Sequence, residues 1–412
     1  MSTIHLTKTV HSVQPRYVER FACTGSACED NCCTGWTVLV DKKTFNAYRQ
    51  AKQPLLMDRM ANQVKRIRSL ASDTKYARIE MQPETLACPF LEEKLCSVQR
   101  ELGEDKLSDT CATYPRKSRV MGGRHQQALA LSCPEAARLA LLAPDAMDFV
   151  EVSAKVRTES VLQMRSKQGL TPEMMASVSL SCLQWMKADK LSLWQKLAAL
   201  GVFTEQLTAS LKEGGHAGVP ALLKDFDAMV SSGAIAEALS AMQPDYAIQA
   251  TTFSSLWQIK NTRKNSPVQQ AVQTMVVRGL GADPETNLVA PQQLIDNYRT
   301  GVQRLPTALK EAPYMLENFL LNEMFSEGFP FSEATPYAHF LKLVTQFGLL
   351  RFMLAVQCND EDHLPDAQQM ARTVQVFSRK YQHDADFAQR VNDALKNSGW
   401  DSLEKIFRFL RT

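Results

Sequence analysis

The sequence predicts a mainly α fold, with a cysteine-rich, metal-binding N-terminal domain containing short strands followed by an all-helical domain. Three observations lead there. Eight of the ten cysteines fall in the first third of the 412 residues. Before residue 140 the chain is punctuated by cysteine, proline and short elements, and beyond it apolar residues recur at three- and four-residue steps, the spacing of an amphipathic helix. The boundary is therefore drawn at residue 140, giving a cysteine-rich domain over 1–140 and a helical domain over 141–412, each large enough for a core.

In the front domain, Trp36 to Val40 reads as a short strand, followed by a helix N-capped by Asp41 with Phe45, Tyr48 and Ala51 on one side. Arg78 to Met81 and Gln127 to Leu131 are further strand candidates. Short helices are expected over Ser97–Leu102 and Lys106–Ala112, and Pro115 disfavours helix at Tyr114. Ser132 and Glu135 bracket Cys133-Pro134 at capping-box spacing, which starts a helix carrying Ala137, Leu139, Leu141 and Leu142. That places Cys133 at a helix N-terminus, where the dipole favours a thiolate.

The second part is a series of amphipathic helices. Leu191, Trp194, Leu197 and Leu200 recur at three-residue steps, and Leu316, Leu320 and Met324 at four. Phe340, Leu343, Val344, Phe347, Leu350 and Leu354 mix both, and Phe387, Val391, Leu395, Leu403, Ile406, Phe407 and Leu410 close the chain. These stripes are core. Glu213 to Pro220 and Lys260 to Pro267 read as loops. No internal repeat is present.

Formal net charge is +3, so the total gives no support for nucleic acid or an anionic membrane as a partner. Residues 1–140 carry 21 basic and 15 acidic side chains, a modest excess that tolerates an anionic cofactor or cluster. The opening MSTIHLTKTVHSVQPRY has no apolar h-region, and no run approaches 18 uninterrupted apolar residues. A cytoplasmic location is expected. There thiols stay reduced, and a cysteine framework points to a metal rather than to disulfides.

The cysteines form two groups, Cys23, Cys28, Cys32 and Cys33, then Cys88, Cys96, Cys111 and Cys133. No C-x2-C pair occurs, which counts against zinc ribbons, ferredoxins and thioredoxin-like chemistry. Cys28-x3-Cys32 matches half of the C-x3-C-x2-C loop of radical enzymes, but Gly35 stands at the third position. Thiolates in this number suit an iron-sulfur cluster or a structural zinc. Cys28, Cys32, Cys33, Cys88 and Cys111 are the first choice around one centre, with Cys23, Cys96 and Cys133 completing it and His125 as a spare ligand. Cys182 and Cys358 read as buried hydrophobes. The glycine pairs Gly122-Gly123 and Gly214-Gly215, and Gly279-x-Gly281, do not form a Gly-rich loop between strand and helix, so a Rossmann cofactor site has no anchor.

Four segments, PRYVERFACTGSACEDNCCTGWTVLVDKKTF (Pro15 to Phe45), CPFLEEKLCSVQRELGEDKLSDTCATYPR (Cys88 to Arg116), LSCPEAARLALL (Leu131 to Leu142) and YMLENFLLNEMFSEGFPF (Tyr314 to Phe331), resemble the flagellin lysine N-methylase family. That family shares its cysteine pattern with a wider group of cysteine-cluster proteins. The resemblance implies S-adenosylmethionine-dependent methylation of surface lysines on flagellin, in the cytoplasm before export, with a 4Fe-4S cluster held by the cysteines. Two other readings stand beside it: a cysteine-cluster binding or electron-transfer protein without methyltransferase activity, and a zinc-stapled interaction protein.

Methylating lysine needs the neutral amine, so the site must desolvate it or offer a base. Glu29 and Asp30, between Cys28 and Cys32, are candidates to bind or deprotonate it, or else solvated loop acids. Arg116, after Tyr114-Pro115, is a candidate partner for the cofactor carboxylate, with Tyr114 beside it. Asn318 and Asn322 share a helix face, as catalytic residues lining a cleft or as a helix-packing hydrogen-bond network. The sequence sets no oligomeric state.

Overall fold

The structure is a computed structural model that describes residues 5–165, 169–213, 215–259, 265–283, 288–360, 363–382 and 385–411. Gly214 and residues 260–264, within the two expected loops, and the side chain of Phe387 lie outside the described residues.

Ten strands precede the long helices: β1 (Thr7–Pro15), β2 (Val38–Val40), β3 (Val64–Arg66), β4 (Ala77–Ile79), β5 (Leu91–Glu92), β6 (Leu95–Cys96), β7 (Arg116–Met121), β8 (Arg124–Leu129), β9 (Phe149–Arg157) and β10 (Leu162–Gln163). The main sheet has the order β10-β7-β8-β1-β9. β7 and β8 form a hairpin closed by Gly122 and Gly123, both at positive φ as its tight turn requires. β1 joins β8 in parallel and β9 in antiparallel register from Thr7 opposite Arg157 to Pro15 opposite Phe149. A three-stranded sheet, β2-β4-β3, and the small β5-β6 hairpin complete the strands.

The expected strands are found, trimmed to β2, β4 and β8, and Asp41 caps the Lys42–Arg49 helix by accepting from Thr44 N. The segment after residue 140 departs from an all-helical reading. FVEVSAKVR, residues 149–157, alternates apolar and polar residues and forms β9, with Ala154 and Val156 buried and Glu151, Ser153 and Lys155 exposed. The chain also departs at residue 133. Cys133 itself is the N-cap of the Pro134–Leu141 helix, and no side chain caps it, because the Ser132 hydroxyl is bonded to Tyr114 instead.

Two apolar cores result. The smaller gathers Val38, Val40, Tyr48, Leu56, Met60, Ile79, Cys88, Phe90 and Val98, with Cys33, Cys96 and Cys111 packed against it. The larger takes in residues from both sides of residue 140: Tyr17, Leu129, Leu131 and Leu141 with the long helices, and Cys133 packed against it. The helices Leu193–Glu213, Met315–Glu327 and Pro336–Gln357 bury the predicted stripes. Pro336–Gln357 is long and apolar enough to cross a membrane, yet 83% of its most apolar stretch is buried inside the molecule, as befits a central core helix.

Gly279 and Gly301, on helices Pro267–Leu280 and Pro291–Ala308, let both pack directly on the backbone of that central helix. A Cβ at either would lie 1.9 Å from a carbonyl oxygen, Val356 O and Ala355 O respectively. Gly279 thus serves helix packing and Gly281 caps the helix at φ +66, which accounts for the Gly-x-Gly pair without a cofactor. Gly279→Ala is expected to cost about 3 kcal/mol in urea unfolding, the upper end for overpacking, because the obstacle is backbone that cannot rotate away.

Candidate functional site

Local backbone geometry places the front cysteines, with Cys33, Cys88, Cys96 and Cys111 at the smaller core and Cys133 against the larger. Cys28 follows the 3-10 turn Gly25–Ala27. Cys33 O accepts from Cys88 N at 2.7 Å, and Thr34 bridges Ala87, which ties the first cysteine group to the second. Cys96 ends the β5-β6 hairpin and caps the Ser97–Leu102 helix. Cys111 lies in Asp109–Thr113, whose N-cap Ser108 accepts from Cys111 N.

Cys32 links these cysteines electrostatically: its charge acts on Cys28, Cys33, Cys88, Cys96, Cys111 and Cys133. Cys33 donates a hydrogen bond to Cys32 and, with help from Arg379, lowers the Cys32 thiol to about 7, while the same bond drives Cys33 far upward. Burial raises the others, to about 11 for Cys88 and about 12 for Cys111 and Cys133. At Cys133 burial therefore outweighs the helix N-terminus, although Ala136 and Glu135 N–H groups pull the other way. Backbone N–H groups also reach Cys28 (Asp30), Cys88 (Phe90) and Cys96 (Val98 and Gln99). Cys88 is buried, Cys28, Cys96 and Cys133 are half-buried, and thiols with backbone N–H donors beside them suit a thiolate-held metal, whose charge would replace the proton. Cys23 lies exposed, its sulfur accepting from Gly25 N at 3.5 Å.

The loop carrying Cys32 is clamped from the far end of the chain. Arg379 Nη1 pairs with Asp30 Oδ1 at 2.7 Å and donates to Asp30 O at 3.0 Å, and its Nη2 donates to Thr34 O at 2.7 Å. Gln375 Nε2 donates to Asp30 Oδ2 and to Ser132 O, both at 2.9 Å, so one amide joins the Cys32 loop to the residue before Cys133. Beside this clamp opens a cleft of about 920 Å³, bordered by Cys32, Trp36, Tyr114, Ser132, Arg379 and Lys380 among others. Lys380 lies on the π-helical turn Ser378–Gln382, and burial lowers its pKa.

The expected site residues separate into two sets. Glu29, Asp30 and Tyr114 border the cleft, but both acids are engaged, Glu29 by Arg138 at 2.5 Å and Asp30 by Arg379 and Gln375. Arg116 is exposed and stacks over Phe21 at 5.1 Å, away from the described lining. His125 pairs in the main sheet opposite Val120 and Ser12. Asn318 donates to Ala140 O and Ala143 O at 2.9 and 3.1 Å, and Asn322 accepts from Tyr17 OH at 2.6 Å. Both asparagines are buried, knotting the Met315–Glu327 helix to the front region, which is the helix-packing alternative. Asn322→Ala should cost about 1–3 kcal/mol by removing the nearer acceptor of the Tyr17 hydroxyl and leaving it Leu129 O at 3.3 Å. The kcat of the folded protein should be unchanged, as thermal unfolding beside steady-state kinetics will tell.

Among the described residues, the set of three that draws its donor atoms within 4.8 Å of one another is His5, Asp109 and Glu159. Thr44, Arg157 and Lys43 already partner these groups, so the set acts as a polar staple fastening the Cys111 helix to the chain's start.

Comparison with known proteins places this geometry. A family model described as the FliB lysine N-methylase C-terminal domain matches residues 180–409, more than half of the chain. The chain belongs to the FliB lysine N-methylase family. It is 22% identical over 396 residues to a lysine-N-methylase of Salmonella typhimurium, covering 93% of this chain and 95% of that protein, and equally so to one from Salmonella choleraesuis. It is 35% identical over 145 residues to the flagellar biosynthetic protein FliU of Salmonella muenchen, covering 35% of this chain and 85% of FliU. No solved structure matches. The FliB-type match includes Gln375, Arg379 and Lys380. In this FliB family member the matched helical part thus supplies Gln375 and Arg379 to the clamp, and sequence reasoning missed it because the contacts span 345 and 349 positions with no local spacing to mark them.

Proposed function

We propose that the chain is an S-adenosylmethionine-dependent protein-lysine N-methyltransferase acting on flagellin in the cytoplasm, with a 4Fe-4S cluster held by its front cysteines. Family membership and the relatives named for lysine methylation and flagellar biosynthesis support the reading. The observation that carries it is that Cys32, whose charge acts on six other thiols, borders the same cleft as Trp36 and Tyr114.

The donor set fits such a group. Ligands would be drawn from Cys28, Cys32, Cys33, Cys88, Cys96, Cys111 and Cys133. These seven thiols are all free of disulfides and exceed the four that such a cluster takes. When bound, the cluster would supply a Lewis-acidic site for the amino and carboxylate groups of the cofactor.

The chain's own residues meet the remaining requirements. In the transfer the lysine Nζ lone pair forms an N–C bond to the methyl group as the sulfonium C–S bond breaks, leaving S-adenosylhomocysteine and one proton to be released. A free lysine titrates near about 10.4, so the amine must first be made neutral. Burial in the cleft wall shifts Lys380 toward the neutral amine, and a substrate lysine desolvated beside it would be shifted in the same direction. Asp30 acts as a positioning residue, because Arg379 and Gln375 hold both carboxylate oxygens. Tyr114 forms the wall toward Ser132.

The test is anaerobic purification, with iron, sulfide and zinc per chain determined, followed by incubation with purified flagellin and labelled S-adenosylmethionine. The reading predicts a brown protein that adds methyl groups to flagellin lysines by mass spectrometry. A colourless protein with stoichiometric zinc would remove the cluster, and unmodified flagellin would remove the enzyme.

A further inference from the structure

The cleft beside Cys32 has one aromatic corner in an otherwise polar lining. Among its described lining residues, Trp36 and Tyr114 are the two aromatic ones, with ring centroids 5.2 Å apart and planes inclined at 54°. Each ring is fixed through its polar edge to a cysteine-bearing segment. The Trp36 indole N–H donates to Cys32 O, and the Tyr114 hydroxyl lies 3.1 Å from Ser132 Oγ. With those edges engaged, both rings are half-buried and offer apolar π surface at the mouth of the site.

The three acids in the described lining are all engaged: Asp30 by Arg379 and Gln375, Glu29 by Arg138, and Glu84 as well. A positively charged centre in this corner would meet the ring quadrupoles, an interaction that strengthens as the site is desolvated. Methyl transfer to lysine uses two such centres. One is the sulfonium of the donor, and the other is the ammonium of a lysine already methylated.

We propose that the Trp36–Tyr114 corner is a cation–π subsite for a methyl-bearing onium group, and that its occupant is the sulfonium of S-adenosylmethionine. The proposal rests on the methyltransferase reading above. It makes the corner the element that distinguishes charged donor from neutral product, since S-adenosylhomocysteine lacks both the methyl group and the charge.

Calorimetry on the anaerobically purified holoprotein tests this with S-adenosylmethionine and S-adenosylhomocysteine as paired probes. Trp36→Leu is expected to weaken S-adenosylmethionine binding about five- to thirtyfold while changing S-adenosylhomocysteine less than twofold. Trp36→Phe and Tyr114→Phe keep a ring, and each should retain most of the selectivity even if the leucine variant loses iron. If donor affinity is unchanged but a dimethyl-lysine flagellin peptide binds more weakly, the onium subsite stands with the substrate as its occupant. Equal weakening of donor and product in variants of unchanged iron content, or no change with any probe, would overturn the proposal. Failure of the wild-type holoprotein to bind the donor at all would instead overturn the methyltransferase reading, and the subsite with it.

Discussion

Arg379→Ala is expected to lower stability by about 3–5 kcal/mol and to strip metal from the protein while the large helical core stays folded. The Asp30 carboxylate is only 4% exposed, and the guanidinium that pairs with it also holds Asp30 O and Thr34 O. Removing one partner leaves a buried charge with Gln375 alone, and it releases the loop that carries Cys32 and Cys33. Arg379→Lys should recover only part of the loss, because one ammonium cannot reproduce a planar fork that reaches three acceptors. Urea unfolding and iron content, measured on the same preparations, check both statements. Unchanged iron with unchanged stability would mean that the cysteines hold the loop without the helical region.

Cys32→Ser should have the largest effect of any single cysteine substitution, and Cys23→Ser the smallest among the front eight. Cys32 acts electrostatically on six other thiols, and the hydrogen bond from Cys33 with the nearby Arg379 holds its own thiol below the ordinary range, which favours the thiolate. Cys23 is exposed, and its sulfur accepts from the nearby Gly25 N, a local turn contact. Iron per chain and thermal midpoint should fall together in Cys32→Ser, because lost metal-binding free energy is lost folding free energy. In Cys23→Ser both should stay at the level of the unmodified protein. Equal losses in the two variants would place Cys23 in the centre and call for a different ligand set.

The grouping of the cysteines was legible because eight of ten crowd into the first third of the chain, and Cys33, Cys88, Cys96 and Cys111 do meet at one core. The long helices were legible because Phe340, Val344, Phe347 and Leu354 repeat with the helical period and are buried as that period requires. β1 was not legible. It buries Ser12 and Gln14, so a pattern of hydrophobicity does not mark its inward face. β9 does alternate, but its apolar residues toward the strand's start, Val150 and Val152, are only half-buried, and the segment lies in a stretch dominated by helices. The cleft was the least legible part. Trp36, Tyr114, Ser132 and Arg379 meet there only because the Ala367–Phe377 helix and the turn after it close over the cysteine loop. Asn318 and Asn322 drew attention as polar residues in an apolar helix, and their contacts with Ala140, Ala143 and Tyr17 place that polarity in packing.

The central claim is that the cysteine centre and the methyl donor share one site. Titrating S-adenosylmethionine into the anaerobically purified holoprotein, while following its absorbance and its electron paramagnetic resonance after reduction, tests that claim most directly. The account predicts a saturable spectral change that follows donor binding and is weakened in Arg379→Ala. A spectrum that stays constant while the donor binds and flagellin is methylated would contradict it, and would place the cofactor away from Cys32.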